Sequence, residues 1–97
     1  MAPNTLSPAQ IAAALPEAWT HADGRLRRRF AFPDFGAAMA FMVRVAFVCE
    51  AMNHHPNWSN VYATVDVELW THDAGGVTDL DLDLARRMTA LFDAGQA

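Results

Sequence analysis

Apolar residues recur along this chain with two spacings, and the switches between them mark its elements. Residues Leu6–Leu15 read as a short helix: Ser7 is an N-cap, Pro8 occupies N1 and Gln10 falls at N3, a capping box with a pre-set first turn. Ile11, Ala14 and Leu15 form its stripe, and Pro16 stops it. Trp19-Thr20-His21 and Leu26–Phe32 read as two strands around Ala22-Asp23-Gly24, a hairpin signal. In the second strand Leu26, Arg28 and Phe30 alternate with Arg27, Arg29 and Ala31, which crowds three arginines on one sheet.

Pro33-Asp34 opens a long helix over residues 34–53, with Asp34 as N-cap. Phe35, Ala38, Phe41, Met42, Val45, Val48, Cys49 and Met52 have the three-four spacing of a core face. Met39, Ala40, Val43 and Phe47 make the opposite side apolar as well. One domain layer covers one side of such a helix, so the other predicts a homo-oligomer packed through it. Asn53-His54-His55-Pro56-Asn57 ends the helix, and Pro56 extends His55. From Trp58 the period becomes two. Val61, Ala63, Val65, Val67, Leu69 and Thr71 fall on one face, and Asn60, Tyr62, Thr64, Asp66 and Glu68 on the other. This is one long strand, or two with a tight turn near Ala63-Thr64. After the loop Asp73-Ala74-Gly75-Gly76, Thr78 caps a last helix, with Asp81 as its capping-box partner and Leu80, Leu84, Met88 and Leu91 as its stripe. Asp79, Asp81 and Asp83 crowd its start and Arg86 and Arg87 follow, as the dipole favours; fraying is expected from Asp93. The order is that of one α+β two-layer domain over residues 1–97.

Composition narrows the function. With 53% hydrophobic and 19% charged residues the chain is not intrinsically disordered. A net charge of −4 makes it a poor partner for nucleic acid, whatever the run Arg25–Arg29 suggests. Its single cysteine, Cys49, allows no internal disulfide and no four-cysteine zinc site. The longest apolar stretch, Ala37–Cys49, is interrupted by Arg44 and is short for a bilayer, so no membrane role is expected. The N-terminus has neither the basic nor the apolar region of a secretory signal, and the default is the cytoplasm.

Four histidines carry the candidate chemistry. His54 and His55 follow the long helix, His72 ends a strand, and His21 sits beside the first hairpin. Glu50 lies one helical turn before His54, within reach of its imidazole if the helix persists. Histidines on loops at the ends of rigid elements suit general acid–base work near neutral pH; the plainer reading makes them surface or capping residues. A three-histidine metal site competes, but the extended backbone at His55 points neighbouring side chains apart, and no metal is expected. Cys49, on an apolar helix side, reads as a buried, inert thiol.

The run Glu50-Ala51-Met52-Asn53-His54-His55-Pro56-Asn57-Trp58-Ser59-Asn60-Val61-Tyr62, with Leu69-Trp70-Thr71-His72 and Gly76-Val77-Thr78 after it, closely resembles the pterin-4a-carbinolamine dehydratases. The resemblance extends over most of the chain. It implies a four-stranded antiparallel sheet with three helices on one face, in the order helix-β-β-helix-β-β-helix, and a homodimer or homotetramer. It implies dehydration of 4a-hydroxytetrahydrobiopterin to quinonoid dihydropterin without a cofactor, recycling the pterin of an aromatic amino acid hydroxylase. The alternative it carries is a non-catalytic scaffold or transcriptional dimerisation cofactor for a regulatory protein. By the same resemblance His54 and His72 are the acid–base pair and His55 a third catalytic-site residue. Glu50, Pro56, Trp58 and Asp81 then bind substrate, with Trp58 a wall against the flat ring and Glu50 and Asp81 orienting imidazoles or holding pterin N–H groups. Thr71 is expected to pack in its strand with a hydroxyl bond, and Asn60 and Tyr62 to serve the fold. Asn53, Cys49 and Trp70 depart from the family's usual residues; Trp70, larger than usual, bears on rate and assembly.

Overall fold

The computed structural model of this chain describes residues 4–96. Residues 1–3, where part of the N-terminal reading falls, and residue 97 lie outside the described residues. The elements are α1 (Pro8–Ala14), β1 (Thr20–Ala22), β2 (Arg25–Ala31), α2 (Phe35–Met52), β3 (Asn57–Val61), β4 (Thr64–Leu69), a 3₁₀ turn (His72–Ala74) and α3 (Asp79–Gly95). The capping box of α1 forms: the Ser7 hydroxyl accepts from the Gln10 N–H, and the Gln10 side chain accepts from the Ser7 N–H.

The four strands make one antiparallel sheet in the order β1-β2-β4-β3. Asp23 and Gly24 both have positive φ, as the two-residue β1–β2 hairpin requires. The second hairpin turns at Tyr62-Ala63, with Val61 paired to Thr64 and Tyr62 at φ 49°. Asn60 holds this turn by donating to the carbonyls of Tyr62 and Thr64. Two strands therefore form, and the turn breaks the single alternation expected from Val61 to Thr71. Val61 lies 72% exposed while Val65, Val67 and Leu69 are buried, because reversal of the chain restarts the phase on β4.

The buried face of the sheet carries Leu26, Phe30, Val65, Val67 and Leu69; α2 supplies Ala38, Phe41, Val45 and Cys49, α3 Leu82, Leu84, Ala85 and Met88, and α1 Ile11 to the same core. Phe30 is its centre, with Phe41, Phe92 and Trp19 ring centroids at 4.7, 5.2 and 5.9 Å. Phe92 also anchors the last turn of α3, which runs to Gly95 instead of fraying at Asp93. The other sheet face is open. There Arg27 meets Glu68 at 2.6 Å and Arg29 meets Asp66 at 2.8 Å, so cross-strand acids neutralise two of the three clustered arginines. Arg28 points to the helix side, stacked over Phe30, and burial pushes its pKa down.

Helix α2 is long and apolar enough, at 18 residues and mean hydropathy 1.7, to pass as a membrane span. One face of it is nonetheless the core of this domain. Its other face leaves Val43 and Phe47 exposed, Phe47 by 73%.

Candidate active site

The histidines are placed by the ends of three elements. Helix α2 stops at Asn53, whose left-handed φ of 51° turns the chain. The Asn53 N–H bonds to the Glu50 carbonyl and the His54 N–H to the Cys49 carbonyl, a Schellman-type end. This turn drives His54 inward and His55 outward. His54 is buried, and its Nε2 stands 2.6 Å from Asp81 Oδ1.

Asp81 is fully buried at the third position of α3. Its Oδ2 accepts from the Thr71 hydroxyl and the Thr78 N–H, both at 2.9 Å. The Thr71 and Thr78 hydroxyls are 2.7 Å apart, and Thr78 Oγ1 accepts from the Leu80 N–H. The hydroxyl protons therefore run one way, from Thr78 to Thr71 to Asp81. An ionised carboxylate only accepts, so these partners assign the proton on His54 to Nε2 and leave Nδ1 with the free lone pair. Asp81 thus caps its helix and orients an imidazole at once. A carboxylate in the first turn of a helix is further favoured by the dipole.

A cleft of 240 Å³ opens beside this network, lined by His54, His55, Pro56, Trp70, Thr71 and His72 among others. His72 is exposed at the start of the 3₁₀ turn, with its ring stacked on Trp70. His55 is exposed, and its Nε2 lies 3.6 Å from Glu50 Oε1. Glu50 therefore neighbours His55 and not His54, because α2 ends before Asn53 and the turn swings His54 to the opposite side. Trp58 is half-buried, packed against the core from β3, and is not among the residues lining this cleft. The indole that lines it is Trp70. His21 lies away on β1. A wider hollow of 750 Å³, lined by Trp58 and by the Arg27–Glu68 and Arg29–Asp66 pairs, adjoins the histidine cleft through Pro56 and Asn57 but is lined by none of the histidines.

Cys49 is buried, and burial pushes its thiol pKa up, against a nucleophilic role. Among the described residues no three His, Cys, Asp or Glu side chains gather closely enough to hold a metal ion. Chemically, the cleft offers a buried, oriented imidazole backed by a carboxylate and two solvent-facing imidazoles, those of His55 and His72. Sequence reasoning did not foresee the threonine pair behind Asp81 as a unit or the ring stack at His72. The capping-box spacing of Thr78 and Asp81 and the strand alternation of Trp70 were the available signals.

Comparison with known proteins places this geometry in context. A family profile described as Pterin 4 alpha carbinolamine dehydratase matches residues 4–91. A protein of Synechococcus sp. (strain WH7803), provisionally named a pterin-4-alpha-carbinolamine dehydratase, is 59% identical over 73 residues, 75% of this chain and 78% of its own. Among solved structures, a transcriptional coactivator/pterin dehydratase from Brucella melitensis superposes with a TM-score of 0.88 at 40% identity, over 91% of this chain and 98% of that one. A pterin dehydratase-like protein described as a RuBisCO assembly factor of the alpha-carboxysome superposes at 0.63 with 25% identity, over 76% and 86%.

Proposed function

This chain belongs to the pterin-4a-carbinolamine dehydratase family, and from that premise we propose that it dehydrates 4a-hydroxytetrahydrobiopterin to quinonoid dihydropterin and water by histidine acid–base catalysis. The observation that carries the reading is the buried His54–Asp81 pair at the edge of a cleft that His72 shares. The reaction breaks the C4a–O bond and removes the proton of the neighbouring ring nitrogen, forming the C4a–N double bond. Hydroxide is a poor leaving group, so one group must deliver a proton to it while another takes the nitrogen's proton. His54 is the base: with Nε2–H donated to Asp81, its Nδ1 is free to accept, and the carboxylate balances the charge gained. His72 is the acid that protonates the departing hydroxyl. His55, beside Glu50, binds polar groups of the pterin at the cleft rim, and Pro56 gives an apolar contact to the ring. Trp58 holds β3, and with it Pro56, against the core. No metal or cofactor is called on.

The same reading makes the enzyme a homodimer or homotetramer through α2, whose outer face leaves Val43 and Phe47 to solvent. Its product, once a separate reductase has supplied two electrons to restore the tetrahydropterin, would return to an aromatic amino acid hydroxylase. The test is stopped-flow ultraviolet decay of the carbinolamine, generated in situ at neutral pH. Wild type should accelerate the decay and a His54→Ala, His72→Ala variant should lose most of that acceleration. A wild type with no effect, folded by circular dichroism, sinks the proposal.

A second reading is a protein-binding scaffold, favoured by the exposed α2 face and by likeness to structures described as a coactivator and an assembly factor. Under it the double-histidine variant keeps full biological activity.

A further inference from the structure

His72 is exposed, and among the described residues no side-chain hydrogen bond or ion pair fixes its ring. A free imidazole there would sample three χ1 wells and two broad χ2 orientations. What it has instead is a stack. The Trp70 ring lies 4.4 Å from the His72 ring, 27° from parallel. On Trp70 the guanidinium carbon of Arg25 sits 4.2 Å from the ring centroid. The Nε of Arg25 is buried without a hydrogen-bond partner, and its one weak bond is from NH1 to the Asp23 carbonyl at 3.4 Å. No carboxylate pairs with it among the described residues, so the indole face is its principal partner.

The topology builds this arrangement. Leu69 and Thr71 are buried, so alternation turns Trp70 to the other side of the strand end. The β2–β4 register pairs Leu26 with Leu69, which brings Arg25 level with Trp70. The Thr71–Gly76 bridge and the left-handed Gly75, at φ 75°, close the turn that folds His72 back over the indole. Thr71, between Trp70 and His72 in the chain, is the residue whose hydroxyl holds Asp81. One short segment thus sets both imidazoles.

We propose that Trp70 is a positioning residue for His72, braced from behind by Arg25, so that the Arg25–Trp70–His72 stack holds the acid's ring at the cleft. The inference rests on the dehydratase reading for its kinetic consequence, but the ring geometry can be measured without it. Stacking removes rotamers that a lone exposed histidine would populate, and its loss lowers the turnover number more than it weakens substrate binding.

The experiment combines NMR of histidine ring protons in the free protein with dehydratase kinetics for Trp70→Ala, Trp70→Phe and Arg25→Met. In Trp70→Ala the upfield ring-current shift of the His72 protons should vanish, and spreading the ring over about six rotamers should lower kcat about fivefold with KM within about twofold. Trp70→Phe, which keeps an aromatic face, should recover at least about half of kcat, and Arg25→Met should fall between the two. In a His72→Ala background Trp70→Ala should cost nothing further. Unchanged His72 shifts in Trp70→Ala overturn the proposal. So does an equal kcat loss in the His72→Ala background, which would make Trp70 a substrate contact. If wild type shows no dehydratase activity, the proposed function fails and the His72 shifts alone decide the stack.

Discussion

Replacing Asp81 by asparagine separates the orienting role of this carboxylate from its structural one. The side chains are nearly isosteric. Position Oδ2 must still accept from the Thr71 hydroxyl and the Thr78 N–H, so the amide oxygen takes it. The amide NH₂ then faces His54 Nε2, where 2.6 Å separates the partners in the native pair. Two donors cannot face each other, so His54 must shift its proton to Nδ1 and offer Nε2 as acceptor. The nitrogen assigned as base is then blocked. Loss of a positioned general base costs roughly 10²–10⁴ in rate. Stability falls much less, by about 1–2 kcal/mol, as charge-assisted bonds become neutral ones, and at about 4–8 °C per kcal/mol for a domain of this size the variant stays folded at 25 °C. The assay is kcat for carbinolamine decay, together with imidazole nitrogen shifts to read the tautomer. A folded variant with the shifted tautomer that keeps more than about one-tenth of wild-type kcat refutes the assignment of His54 as base.

Two further outcomes are expected. Phe47→Glu places a charge on the exposed face of α2, where 73% of Phe47 is accessible, and should move the proposed oligomer toward monomer in sedimentation with its circular dichroism intact; an oligomer of unchanged size would place the interface elsewhere, and a monomeric wild type would refute the proposed assembly. Burial raises the Cys49 pKa above its ordinary value of 9.0, so the unfolded thiol ionises first and stability should decline as pH rises from about 9 through the folded value. Cys49→Ala should flatten that decline in urea titrations, and identical slopes for variant and wild type would contradict the buried-thiol account.

The elements with local signatures were legible. Ser7-Pro8 with Gln10, Asp23-Gly24, Asp34, and Thr78 with Asp81 each specify a cap or turn through contacts within a few residues, so chain spacing alone reveals them. The β2 alternation likewise told which of Arg27, Arg28 and Arg29 joins Leu26 and Phe30. What failed was phase across an unmarked turn. Tyr62-Ala63 lacks the glycine or asparagine that usually signals positive φ, so one continuous strand fitted the pattern from Trp58 equally well.

At the site the division has the same origin. Sequence by itself determined that the candidate histidines fall at the ends of elements and that the His54-His55-Pro56 segment must leave its helix. It also determined that Asp81 sits at a helix start, since these depend on neighbours in the chain. Tertiary structure decided the partners. Glu50 stands four residues from His54, yet the left-handed turn at Asn53 gives His54 to Asp81, 27 residues away. Trp70 rather than Trp58 lines the cleft, because the sheet register sets which indole faces which side. Hydrogen bonds and ring stacks between distant segments depend on how the sheet and helices pack, and no local spacing encodes that packing.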